Sequence, residues 1–296
     1  MRDVVIVGGG PAGLAAGLWL ARYRRSVTIV DAGAHRNRWT EQVHGYLGWD
    51  PVSPHELVER AHAQVRSYDE VEIASDTVQT IEHDDDGFHA TTSDETIDAR
   101  RVILATGVSD QFPDVENFFT HYGAGAFHCP ACDGYEARGK DIVVLGWGEH
   151  VPGFVRGLFT WARSVALVTD GPDLEIGRAQ MDRLASEGVK VLSGEAVQLV
   201  GERGDLRGVK LRSGDVVECQ MAFFSIAHHP RNSLARELGC DLDDEGYVVT
   251  DKHGRTSVDG VFAAGDCSPG YHLVQVAAAQ GAAAGIGCAR SLMKDS

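Results

Sequence analysis

The stretch that most constrains this chain is Val4-Val5-Ile6-Val7-Gly8-Gly9-Gly10-Pro11-Ala12-Gly13. A short β-branched run meets Gly-x-Gly-x-x-Gly, and a helical pattern follows from Leu14 to Tyr23. A second apolar run, Ser26 to Val30, ends in Asp31. Strand, turn, helix, strand and acid in that order form a dinucleotide-binding fingerprint. Gly8 allows the tight turn, Gly10 lets the backbone approach a pyrophosphate, and Gly13 lets the helix close on the strand. The helix start, with Pro11 and Ala12 in its first turn, offers unpaired N–H groups to phosphates, and Asp31 can accept from a ribose hydroxyl.

A second unit of the same kind begins at Asp141-Ile142-Val143-Val144-Leu145-Gly146. Its helix is expected to run to Trp161 and its next strand from Val165 to Asp170. Near the C-terminus, Gly260-Val261-Phe262-Ala263-Ala264-Gly265-Asp266 reads as a strand entering a turn. A helix rich in Ala and Gly follows, from Val274 to Ile286. The expected fold class is α/β, with two Rossmann-like dinucleotide-binding domains, the second inserted into the first. The partition is 1–115 plus 247–296 for the outer domain and 116–246 for the insert. The crossings fall near Pro113-Asp114 and Asp243-Asp244-Glu245-Gly246, and two crossing strands suit domains that rotate as rigid bodies.

Composition narrows the function. The chain of 296 residues carries a formal charge of -16, which repels phosphates and so argues against nucleic acid or an anionic membrane as partner. No apolar stretch has the length of a bilayer span, and Met1 leads directly into a strand without a signal-peptide pattern. A cytoplasmic location is expected. Of six cysteines, Cys219, Cys240, Cys267 and Cys288 are isolated and read as small buried hydrophobes.

The other two lie in Phe127-His128-Cys129-Pro130-Ala131-Cys132-Asp133-Gly134-Tyr135. A zinc site needs four ligands. No second Cys-x-x-Cys or suitably spaced His pair exists, and the adjacent His228 and His229 would point to opposite faces of a strand. No metal site is expected. Redox chemistry is the remaining reading.

Together with the fingerprint at Gly8–Gly13 and with Gly265-Asp266, this segment resembles the low-molecular-weight thioredoxin reductases, over almost the whole chain. The resemblance implies FAD as cofactor and a homodimer. FAD would contact Gly8, Gly10, Pro11, Ala12, Gly13, Asp31 and Ala105-Thr106-Gly107, with Gly265-Asp266 at its ribityl-phosphate region. Arg38 and His44 would lie along the isoalloxazine, and the N–H groups of Gln275 and Val276 at its N1–C2=O edge. Cys132 would face the flavin, Cys129 would exchange with an external thiol, and Asp133 would shuttle the proton. An anion disfavours a neighbouring thiolate, so Asp133 must act by proton transfer. His128 departs from the reductase pattern. Gliotoxin- and holomycin-type dithiol oxidases place a histidine there, with an upstream aspartate for which Asp110 is the candidate. That histidine would serve as a base for an incoming dithiol.

The second nucleotide site departs further. In Gly146-Trp147-Gly148-Glu149-His150-Val151, valine replaces the third small residue and Trp147 crowds the turn. Glu149 sets an anion near the expected pyrophosphate, a repulsion of about 1 kcal/mol at ~4 Å in water and about 4 at an effective dielectric of ~20. Where the reductases carry arginines for NADPH, this chain has Asp170, Asp173 and Glu175. NADPH is disfavoured, while Asp170 leaves NADH open. The partner is a small dithiol or disulfide, or a thioredoxin-like protein. Three readings follow: a dithiol oxidase using oxygen; a reductase-like enzyme fed by ferredoxin, another flavin or NADH; and a non-catalytic flavin redox sensor.

Overall fold

In a computed structural model describing residues 1–169, 176–225 and 227–294, the chain starts with β1 (Arg2–Val7), α1 (Pro11–Arg22) and β2 (Val27–Val30). Then come α2 (Pro54–Arg66), β3 (Val71–Ala74), β4 (Thr80–Asp84), β5 (Gly87–Thr91), β6 (Thr96–Leu104) and β7 (Val108–Asp110). The middle holds α3 (Phe118–His121), β8 (Ala126–Phe127), α4 (Pro130–Asp133), β9 (Asp141–Gly146), α5 (Val151–Leu158) and β10 (Ser164–Val168). It continues through α6 (Arg178–Ser186), β11 (Lys190–Leu192), β12 (Ala196–Glu202), β13 (Asp205–Leu211), β14 (Val216–Glu218) and β15 (Met221–Ser225). The chain ends in β16 (His228–Pro230), α7 (Ser233–Glu237), β17 (Val261–Ala263) and α8 (Val274–Lys294).

The chain divides into two units. The first holds residues 1–38, 45–109 and 228–296, the second 39–44 and 110–227. In the first, one sheet runs β3-β2-β1-β6-β5-β4, with β17 also on β6. Strands β3, β2, β1, β6 and β17 are parallel, and the hairpin β4–β5 joins antiparallel. Because side chains alternate along a strand, both faces of β1 are apolar and buried. Val5 and Val7 enter one core, and Val4 and Ile6 the other. Helices α1 and α8 cover the second face with Leu14, Ala16, Leu20, Ala284, Cys288 and Leu292. Full burial of an aliphatic side chain contributes about 1.5–3 kcal/mol, so this two-sided core holds the turn at the tip of β1 rigidly.

In the second unit, β11-β10-β9-β15-β8 form a parallel sheet and β12-β13-β14 a separate antiparallel one. The two parallel sheets are the two Rossmann-like domains expected from the sequence, and the fold class is as anticipated.

The boundaries differ from the expected ones. The chain leaves the first unit in β7 and returns at 227–228, so residues 228–246 belong to the first unit. The reason is packing: Leu234, Ala235, Leu238 and Cys240 are buried in the same core as Val5 and Leu104. Two further crossings, at 38–39 and 44–45, were not anticipated. The strap Trp39–His44 is stitched to the second unit. Glu41 N–H donates to Gly123 O at 3.3 Å, and Arg203 Nε to Glu41 Oε1 at 2.9 Å. A Cβ on Gly123 would lie 2.3 Å from Trp39 O. The helix expected to reach Trp161 stops at Leu158, while α8 continues past Ile286 to Lys294. Apolar residues at helical spacing, Cys288, Ala289 and Leu292, are buried and carry it on.

The tightest helix contact is α1 against α8, where a Cβ on Gly281 would lie 2.0 Å from Ala12 O. Gly157, also helical, has nothing within 4 Å of such a Cβ. Gly281→Ala is therefore expected to lower stability by about 1–3 kcal/mol through overpacking. Gly157→Ala should be neutral or raise it by up to about 1 kcal/mol. Urea unfolding of the two variants tests the contrast.

Candidate active site

Two chemically distinct places emerge, one in each unit. In the first, the glycine turn has the anticipated form. Gly8 sits at φ +109°, and a Cβ there would lie 2.3 Å from Ala105 O. A Cβ on Gly13 would lie 1.8 Å from Gly8 O, so no side chain is possible. Gly10 precedes Pro11, the first residue of α1, and nothing stands within 4 Å of its missing Cβ. The first-turn N–H groups therefore face an opening suited to a pyrophosphate.

Around that turn the structure gathers most of the expected cofactor residues. Asp31 follows β2 and accepts from Gly33 N–H at 2.9 Å. Ala105, Thr106 and Gly107 follow β6, and Thr106 Oγ1 donates to Arg231 O at 2.6 Å. Gly265, at φ +81°, packs on Ala12, and its N–H donates to Gln280 Oε1 at 2.9 Å. Asp266 pairs with Arg36 at 3.1 Å, a contact across 230 residues with no short-range signal in the sequence. Gln275 and Val276 lie in the first turn of α8. Arg38 Nη1 donates to His35 O at 2.8 Å. These groups fit FAD: an open phosphate turn, an acid at the strand end for a ribose and a helix start for the flavin edge. A group of polar aromatic side chains lies in the same unit. His228 Nε2 and Tyr247 Oη are 2.8 Å apart, and His272 packs edge-on to His228 with ring centroids 5.0 Å apart.

The second place is the cysteine turn after β8. Cys129 and Cys132 form a disulfide with Cα atoms 5.3 Å apart. Cys129 caps α4, and its Sγ accepts from Cys132 N–H at 3.2 Å. Gly134 is obligatory here: a Cβ would lie 2.4 Å from Pro130 O and 2.7 Å from the Trp161 ring. The other four cysteines are buried. Burial pushes Cys219 and Cys288 up to about 12 and raises Cys240 and Cys267, so none is a ready thiolate.

Acid and base stand beside the disulfide. Burial, and next the charge of Glu136, push Asp133 up to about 7, while His44 pulls it down. His44 Nε2 lies 3.7 Å from Glu136 Oε1. The histidine expected along the flavin sits in the second unit, beside Glu136 and within electrostatic reach of Asp133. His128 Nδ1 is 3.0 Å from Tyr122 Oη, and its ring packs against those of Tyr122 and Phe224 at 6.0 and 5.8 Å. Engaging Nδ1 fixes the orientation of the ring. Tyr122 was not foreseen. Asp110 ends β7 in the same unit as His128.

The second glycine turn is filled by the chain itself. His150 Nε2 and Ser225 Oγ are 2.8 Å apart, and the same ring lies against Gly148, 2.9 Å from where a Cβ would be. Pro152 in the first turn of α5 removes one phosphate-binding N–H. The acids Asp170, Asp173 and Glu175 lie outside the described residues.

Comparison with known proteins agrees with this geometry. Residues 2–281 match the pyridine nucleotide-disulphide oxidoreductase family. A thioredoxin reductase of Mycolicibacterium smegmatis is 31% identical over 99% of this chain and 95% of its own. The thioredoxin reductase tcpT of Claviceps purpurea is 33% identical over 89% and 86%. The crystal structure of HlmI superposes with a TM-score of 0.93 at 34% identity, covering 99% of this chain and 93% of that one.

A carboxyl titrating near 7 has a stability consequence. The folded oxidised protein keeps a proton that the unfolded chain releases near 3.9. The associated stability is fully present below about pH 4 and is lost as pH rises to about 7. Asp133→Asn should flatten that part of the stability–pH curve. Carboxyl ¹³C NMR should place the Asp133 midpoint near neutrality, lower in Glu136→Gln and higher in His44→Ala.

Proposed function

The chain belongs to the pyridine nucleotide-disulphide oxidoreductase family and is an oxidoreductase acting on a sulfur group; from that premise we propose that it is an FAD-dependent dithiol oxidase. The observation that carries the reading is the blocked glycine turn of the second unit. His150 is held to Ser225 over Gly148, and Pro152 stands where an N–H would meet phosphate. A pyridine nucleotide would have to displace that histidine, and then meet Glu149. Electrons therefore enter through the thiol side.

His128, anchored on Tyr122, takes a proton from the incoming dithiol. The thiolate attacks Cys129 Sγ, the Cys129–Cys132 bond breaks, and Cys132 leaves with the electron pair. Asp133, poised near neutrality, can hand a proton to that sulfur. The second substrate thiolate closes the substrate disulfide and expels Cys129, whose developing charge meets the Cys132 N–H. One dithiol has become one disulfide, and both enzyme cysteines are thiols. The turn at Gly8–Gly13, with Asp31 and Gly265-Asp266, would hold FAD, which would supply a two-electron acceptor for restoring the enzyme disulfide, dioxygen being the terminal oxidant and hydrogen peroxide its product.

Anaerobic mixing of the flavoprotein with a small dithiol, NADH or NADPH tests the reading. The yellow flavin absorbance should be lost only with the dithiol and should return in air. Loss with either nicotinamide would overturn nucleotide independence and leave a reductase. Cys132→Ser should keep FAD bound and abolish dithiol oxidation. His128→Ala should reduce kcat/KM about 10²-fold or more; a loss under tenfold would remove His128 as the base.

A further inference from the structure

Three side chains of the first unit stand apart from the thiol chemistry. Asp31 follows β2, His35 lies in the loop after it, and His62 reaches in from α2. One ligand atom from each lies within 4.8 Å of the others. His62 Nε2 is 3.3 Å and His35 Nε2 3.9 Å from Asp31 Oδ2, and the two rings meet edge to face. Gly33 N–H occupies Oδ1, so Oδ2 is the oxygen facing the histidines. His62 Nε2 is buried and makes no hydrogen bond within the structure, although Asp31 Oδ2 lies near it. A buried polar atom left so costs about 1–3 kcal/mol. A hydroxyl group brought by a ligand would satisfy it.

The position says what. Asp31 lies directly against the phosphate turn, with its Cγ 2.3 Å from where a Cβ on Gly9 would be. Burial lowers the His62 pKa, with Arg66 and His35 acting the same way and Asp31 and Gly9 opposing. Its ring is therefore neutral at physiological pH, with a nitrogen able to exchange a hydrogen bond with a hydroxyl. We propose that His62 and His35 complete a clasp with Asp31 for the vicinal diol of the adenosine ribose of FAD, His62 being the residue that sets the affinity. The inference rests on the FAD reading of the glycine turn. One hydroxyl donates to Asp31 Oδ2 and its neighbour bonds to His62 Nε2, so a single diol satisfies both atoms at once. Two imidazoles and a carboxylate would also suit a divalent transition metal. The diol is preferred because a strand-end acid beside a phosphate turn is placed for a ribose.

The test uses the full-length flavoprotein. Its FAD dissociation constant is read from the rise of flavin fluorescence on serial dilution. His62→Leu should raise that constant about tenfold, the scale of one lost hydrogen bond. His62→Gln, which keeps a donor and an acceptor, should restore most of the affinity. If His62→Leu does not fold, His35→Leu carries the same measurement, with a rise of about threefold expected. An unchanged constant in the folded variants overturns the clasp, as does one Zn²⁺ per chain that expels FAD from the wild-type protein. These outcomes are separable from failure of the cofactor reading itself. A wild-type protein that never holds FAD sinks both, whereas equal FAD binding by wild type and variants sinks the clasp alone.

Discussion

Everything in the first unit depends on how closely a helix can start beside the strand that feeds it. At Gly13 the distance from a would-be Cβ to the Gly8 carbonyl is 1.8 Å, so any side chain would push α1 off β1. With hydrogen there instead, the first turn of α1 aims its N–H groups at the space above Gly10, and Asp31 arrives beside Gly9. The second helix surface is equally bare. Gly281 and Gly285 let α8 approach backbone atoms of Ala12 and Ala16 to 2.0 and 2.6 Å from their missing Cβ positions. The absence of atoms at a few points thus creates both the phosphate turn and the core that holds it.

The second unit uses the same topology to different effect. There the corresponding turn is occupied by His150, Val151 and Pro152, and its polar groups are spent on Ser225. The disulfide and its acidic neighbour lie instead on the short helix after β8. Its Cys129 Sγ accepts from the Cys132 N–H, and burial and Glu136 push its Asp133 carboxyl up to about 7. A carboxyl at its ordinary value would stay ionised through the physiological range and could give no proton to a leaving thiolate. The proposed proton transfer thus depends on the burial of Asp133 and on Glu136, with His44 opposing them.

How much of this was legible in the sequence follows from the range of each interaction. The Gly8–Gly13 turn and the parallel sheets are local patterns, and the cysteine pair stands within nine contiguous residues. All of these could be read directly. The contacts missed are those closed by the fold: Tyr122 on His128, Arg36 on Asp266, His150 on Ser225, and His62 on Asp31. Each joins residues whose spacing follows no helix or strand period. The strap was missed for the same reason. Its assignment depends on Gly123 and Arg203, far along the chain.

That strap limits how the molecule can be taken apart. A segment cut at 110 and 227 would contain every strand of the second unit's sheets, yet it would lack Trp39–His44. The Arg203 guanidinium would lose Glu41 while keeping Thr120 O, the Gly123 carbonyl would lose the Glu41 N–H, the Phe119 ring would lose Trp39, and Glu136 its histidine. The inserted domain is consequently not a portable cassette. Grafting it onto a different scaffold would require carrying six residues, Trp39–His44, from a distant place in the chain.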